Sequence, residues 1–150
     1  KSPPLKSLQG RIWKSGFQSG QLVSHVFDDV PQSLARWSTS GIDIRIYSSG
    51  SVEAQKLFFS HTTAGDLTSH LRGHYDTTTG PKREKESYQK IAHDIGINPE
   101  GILFLSDVGA ELDAARAAGM ATGATIRPGN KPLEGLYDHD QIDTFSDVTL

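Results

Sequence analysis

The sequence predicts an α/β fold built on a parallel sheet, and three observations predict it. Residues 42–47, IDIRIY, form an apolar-rich extended run that stops at Ser48-Ser49-Gly50-Ser51, and a helical pattern begins at once. A second run, GILFLSD at 101–107, ends in the same way and leads into an alanine-rich helix. Helical and extended patterns alternate through the rest of the chain, as strands joined by right-handed crossover helices do.

Residues 5–24 place Leu5, Leu8, Ile12 and Trp13 at roughly helical spacing, broken by glycines at 10, 16 and 20, so one broken helix or two short ones are expected. Pro31 suits the first turn of the next helix, whose Val30, Leu34 and Trp37 share a face and whose end is marked by Gly41. Ile42, Ile44, Ile46 and Tyr47 then form a strand, and Val52, Leu57, Phe58 and Phe59 place a helix directly after the serine turn. GDLTSHLRG at 65–73 is helix-like, residues 74–78 are extended, and KREKESYQKIAHDIG at 82–96 is a charged helix with Tyr88, Ile91 and Ile95 on its apolar face. Residues 102–105 form the second apolar strand, and ELDAARAAG at 111–119 is a helix closed by Gly119. ATGATIRPGN at 121–130 gives a strand running into a Pro-Gly turn, although its Gly, Ala and Thr are weaker than a buried strand calls for. The tail from Asn130 to Leu150 is irregular and acidic, with a last helix and strand expected in it.

Composition narrows the class. The chain has 150 residues, 35% hydrophobic and 22% charged, enough for one core. A net charge of -3 without a basic run argues against nucleic acid as a partner. There is no cysteine, which excludes disulfides and thiolate metal sites and makes the cytoplasm the expected compartment. No apolar stretch has the length of a membrane span, and a monomer is expected. The chain begins at Lys1 in the polar KSPPLKSLQG, so a fragment of a longer protein is expected.

In open α/β sheets ligands bind beyond the carboxyl ends of the strands. After the strand at 42–47 stand Ser48, Ser49 and Gly50, where hydroxyls, backbone N–H groups and a helix start suit a phosphate; Ser51 as a simple helix cap is the plainer reading. After the extended segment at 74–78 stands Lys82, a mobile point charge for a phosphate, or else a solvated surface lysine. Ser106-Asp107 follows the strand at 102–105, with Glu111 four residues on. A carboxylate there suits Mg²⁺, and an Asp acting as helix cap is the alternative. Parallel strands point their ends one way, so the three features together suit phosphoryl transfer. His70 and His74 lie four apart but bring no further ligand with them.

The stretches YSSGSVEAQKL, YDTTTGPKREKESYQKIA, ILFLSDVGAELDAARAAG and RPGN resemble, in order, those of the haloacid dehalogenase-like phosphatases, and within them the enolase-phosphatases, or acireductone synthases, of methionine salvage. The resemblance covers most of residues 5–133. It implies a Rossmannoid parallel sheet with helices on both faces over 25–150, preceded over 1–24 by the end of a helical cap. Ser48 and Ser49 would hold the substrate phosphate with Gly50, Lys82 would contact the transferring group, and Asp107 would be a Mg²⁺ ligand with Glu111 in the motif's second acidic position. Gln9, Gly10 and Trp13 become possible pocket residues, with a core role for Trp13 as the stronger alternative. The implied substrate is 2,3-diketo-5-methylthiopentyl-1-phosphate, enolised and then dephosphorylated to the acireductone. Members of the family begin with a central strand ending in an Asp-x-Asp motif whose first Asp attacks phosphorus. No such stretch occurs here, and Asp28, Asp29 and Asp76 do not replace it. The expectation is therefore the C-terminal part of an enzyme, inactive alone. A non-catalytic phosphate-binding module and a related phosphatase with another substrate are the alternatives. No residue announces itself as the enolisation base.

Overall fold

The computed structural model describes residues 26–125, 139–142, 145 and 148. The expectations for the broken helix and cap, including Gln9, Gly10 and Trp13, and for the RPGN turn lie outside the described residues. The elements in order are α1 (Asp29–Thr39), β1 (Arg45–Tyr47), α2 (Val52–Ser60), β2 (Gly73–Tyr75), α3 (Lys85–Ile95), β3 (Leu103–Ser106), α4 (Gly109–Ala117), β4 (Ala121–Thr125) and β5 (Asp140–Ile142). They divide into two compact units, one ending at Thr77 and the other beginning at Thr78. Every strand pair is parallel, as expected, and the described strands make two sheets, β1-β2 and β3-β4-β5. None of the described helices is long and apolar enough to cross a membrane.

In the first unit, α1 buries Leu34 and Trp37 of the face that the spacing predicts together with Ser33, while Val30 is half-buried and Arg36 lies over the Trp37 ring at 5.9 Å. The Ile42 N–H returns to the Trp37 carbonyl at 3.0 Å and ends the helix. β1 starts later than the apolar run suggests. The Arg45 guanidinium donates to Asp43 (2.9 and 3.1 Å) and to the Tyr75 hydroxyl (2.9 Å), and the ladder is the three pairs Arg45↔Gly73, Ile46↔His74 and Tyr47↔Tyr75.

The helix expected at 65–73 is not formed; only a 3-10 turn, Thr68–His70, lies there. Local side-chain bonds displace it. Asp66 Oδ1 accepts the N–H of Thr68 at 2.8 Å and its hydroxyl, and Thr62 Oγ1 donates to the Gly65 carbonyl at 2.6 Å. Such short polar side chains offer the backbone an alternative to the helical ladder.

In the second unit, Leu112 of α4 and Ala124 of β4 are fully buried together with Phe104 of β3 packed on them. Burying a leucine side chain is worth about 1.5–3 kcal/mol, and Tyr88 of α3, also fully buried, meets Phe104 edge-on at 4.9 Å. The small residues of β4 now have a reason. A Cβ on Gly123 would come within 2.5 Å of Ile142 Cδ1 and 2.8 Å of Leu105 Cδ2, so glycine makes room for the large neighbours on both flanking strands. The start of β5 is fastened by buried His139, whose Nε2 pairs with Asp113 at 2.7 Å and whose Nδ1 meets the Thr122 hydroxyl at 2.6 Å.

Candidate functional site

The serine turn belongs to the first unit and follows β1 without a spare residue. Ser48 N–H completes the sheet ladder on the Tyr75 carbonyl at 3.1 Å, and Ser48 Oγ accepts the Gly50 N–H at 3.2 Å. Ser49 is exposed at the tip. Ser51 is the helix cap of the plainer reading: its Oγ accepts the Ala54 N–H at 3.1 Å and satisfies one donor of the first turn of α2. Capping by Ser51 leaves the hydroxyls of Ser48 and Ser49 outside the helix, on the approach to its positive end.

One buried side chain behind the turn carries no signal of its own in the sequence. The Gln55 amide donates to the carbonyls of Gly50 (2.9 Å) and Tyr75 (2.7 Å), and its oxygen meets His74 Nδ1 at 3.1 Å. Burial, with Lys56 nearby, lowers the His74 pKa from its ordinary value. His74 is thus bound to a glutamine, and among the described residues no three His, Cys, Asp or Glu side chains group as a closed metal site.

Lys82, Asp107 and Glu111 belong to the second unit. Gly80, with φ of +149°, turns the chain before Lys82, and a Cβ there would strike Ser87 Oγ. Ser87 Oγ donates to the Pro81 carbonyl at 2.6 Å and the Tyr88 hydroxyl to the Lys82 carbonyl at 2.5 Å, so the first turn of α3 grips the backbone on either side. Tyr88, read in the sequence only as part of an apolar face, is therefore also a clamp on the lysine turn. Lys82 is not a solvated surface lysine: its Nζ lies 2.7 Å from Glu111 Oε1, the two side chains being 23% and 10% exposed.

Glu111 also accepts from Ser106 Oγ at 3.2 Å, and that hydroxyl in turn accepts the Val108 N–H at 3.1 Å. The chain Lys82–Glu111–Ser106 ties the ammonium to the loop that carries Asp107. Asp107 is not the cap of α4, since Val108 holds that position without a side-chain capping bond. Glu111, expected beside Asp107 through its helical spacing, is engaged by Lys82 instead. Asp107 is the carboxylate left at the end of β3. One such carboxylate fits Mg²⁺, which keeps waters and phosphate oxygens in most of its shell.

The comparisons with known proteins bear on the same stretches. A family model described as haloacid dehalogenase-like hydrolase matches residues 15–119. A protein of Sorangium cellulosum named enolase-phosphatase is 56% identical over 148 residues, covering 99% of this chain and 63% of its own length. One of the same name from Pseudomonas fluorescens is 49% identical, again over 99% of this chain and 63% of its own length. The chain thus spans less than two thirds of these relatives. The crystal structure of the Unknown transcript 4 protein of Saccharomyces cerevisiae matches 99% of this chain and 68% of that one, with a TM-score of 0.89 and 39% identity.

Proposed function

Because the chain belongs to the haloacid dehalogenase-like hydrolase family, we propose that it is part of an enolase-phosphatase of methionine salvage. The substrate on this reading is 2,3-diketo-5-methylthiopentyl-1-phosphate and the products are the acireductone 1,2-dihydroxy-3-keto-5-methylthiopentene and phosphate. Support comes from the name carried by relatives 56% and 49% identical to it. The observation that carries the chemistry is the Lys82–Glu111 pair, because an ammonium held by a nearly buried carboxylate is set in place before the substrate arrives.

In the proposed reaction Ser48 and Ser49 donate hydroxyls to the substrate phosphate beside the N-terminus of α2. Lys82 places its positive charge on the oxygens where negative charge gathers during transfer, and Glu111 fixes its direction. Asp107 holds Mg²⁺. That ion, when bound, would polarise the diketone for enolisation and neutralise phosphoryl oxygens. The carboxylate that attacks phosphorus is not among the described residues, and the part of each relative that this chain does not span leaves room for it. We place the enzyme in the cytoplasm, in keeping with a cysteine-free chain, and take it as a monomer.

The test is a phosphate-release assay with Mg²⁺ on two preparations. The 150-residue chain is expected to hydrolyse no phosphate ester, and the whole enzyme to release phosphate from the diketone. Mg²⁺-dependent turnover by the 150-residue chain alone contradicts the missing-nucleophile part of the proposal.

A further inference from the structure

We infer that Gln55 is the positioning residue of the phosphate turn: its side-chain amide anchors the Gly50 carbonyl to the end of β2 and so sets the direction of the Ser51 N–H. The inference rests on the reading of Ser48–Gly50 as a phosphate cradle and gives a role to Gln55, which lies within YSSGSVEAQKL but to which the resemblance assigned none.

Gln55 is 5% exposed, and each polar atom of its side chain is used. Two carbonyls, those of Gly50 and Tyr75, lie 2.9 and 2.7 Å from Nε2. Carbonyls only accept, so the NH₂ must face them and Oε1 must face the imidazole. Oε1 in turn only accepts, so His74 Nδ1 carries a hydrogen; the contact assigns the tautomer of the ring. The Tyr75 carbonyl also takes the Ser48 N–H at 3.1 Å. One amide therefore joins the exit of β1, the turn and the last residue of β2.

The consequence for an anion follows from peptide geometry. No peptide bond among the described residues is cis, so the Gly50 carbonyl and the Ser51 N–H point in opposite directions across their shared plane. Pulling the carbonyl inward onto Gln55 turns the Ser51 N–H outward, beside the Ser48 and Ser49 hydroxyls and at the positive end of α2. Without the Gln55 donors the Gly50 carbonyl would have to turn toward water, and the N–H would turn away with it.

The experiment follows inorganic phosphate binding and the backbone amide resonances of residues 49–51 in the protein and in two variants. Gln55→Met keeps the length and removes every polar atom. Gln55→Glu keeps an acceptor for His74 but sets a carboxylate against two carbonyls. Both are expected to weaken phosphate binding about tenfold or more and to shift the Ser51 amide. Leu34→Val, in the buried face of α1, serves as the control: it lowers thermal stability and leaves phosphate affinity within about twofold. Nitrogen NMR of the unmodified protein is expected to show His74 protonated at Nδ1, and the Gln55→Met variant to lose that preference. Parental phosphate affinity in both Gln55 variants, or an Nε2–H neutral His74 in the unmodified protein, overturns the inference alone. An unmodified protein that binds no phosphate at these amides overturns the cradle reading and the inference with it.

Discussion

Lys82 Nζ and Glu111 Oε1 stand 2.7 Å apart, and Glu111 takes a further bond from Ser106, the last residue of β3 and the neighbour of Asp107. Both partners are mostly withdrawn from water, so the pair differs from a surface ion pair worth less than about 1 kcal/mol. Glu111→Gln is expected to lower stability in urea by about 1.5–3 kcal/mol, the range of hydrogen bonds to charged groups. In a double-mutant cycle with Lys82→Met, most of that loss is expected as coupling between the two sites. Additive single-site effects would show that the pair does not hold the lysine.

Gly123 is required by space on both sides of β4. Gly123→Val drives a branched side chain into Ile142 and Leu105 and is expected to destabilise the protein by about 1–3 kcal/mol through overpacking. Shortening Ile142 to Ala in the same chain is expected to recover part of the loss. Thermal unfolding of the single and double variants reads both effects.

His74 gives the first unit an acid-sensitive element. Burial, with the positive charge of Lys56 added, lowers its pKa below the ordinary 6.5. Between the folded and unfolded values the unfolded chain binds more protons, so stability rises with pH through that window and falls as pH drops below about 6.5. A proton NMR titration is expected to give a His74 midpoint below 6.5. His74→Asn is expected to flatten the acid side of the stability profile. A midpoint at or above the ordinary value would contradict the burial argument.

The ends of β1 and β3 were legible because an apolar run that stops at a hydroxyl or an acid, with a helix directly behind it, admits few geometries. Ser48, Ser49 and Asp107 stand where that pattern put them. The partner of Glu111 was not legible, since helical spacing relates it only to neighbours such as Asp107, while Lys82 reaches it from another element. Gln55 was hidden for a similar reason: a single polar residue in a helix reads as solvent-facing until the carbonyls of Gly50 and Tyr75 are seen against it. Leu67 and Leu71 imitate helical spacing, and nothing in that spacing shows that Asp66 and Thr62 bond the backbone locally instead. The small residues of β4 looked like weakness because the neighbours that need the space, Leu105 and Ile142, are fixed only by the register of the sheet.

The central claim is that Lys82 and Asp107 serve phosphoryl transfer in an enolase-phosphatase. It is tested most directly by the rate of phosphate release from 2,3-diketo-5-methylthiopentyl-1-phosphate by the whole enzyme and by its Lys82→Ala and Asp107→Asn variants. The expected result is turnover by the parent and a loss in kcat/KM of about 10²–10³-fold or more in each variant, the scale of removing one preorganised electrostatic contact. Parental rates in either variant, or a parent that hydrolyses other phosphate esters and leaves this diketone untouched, would contradict it.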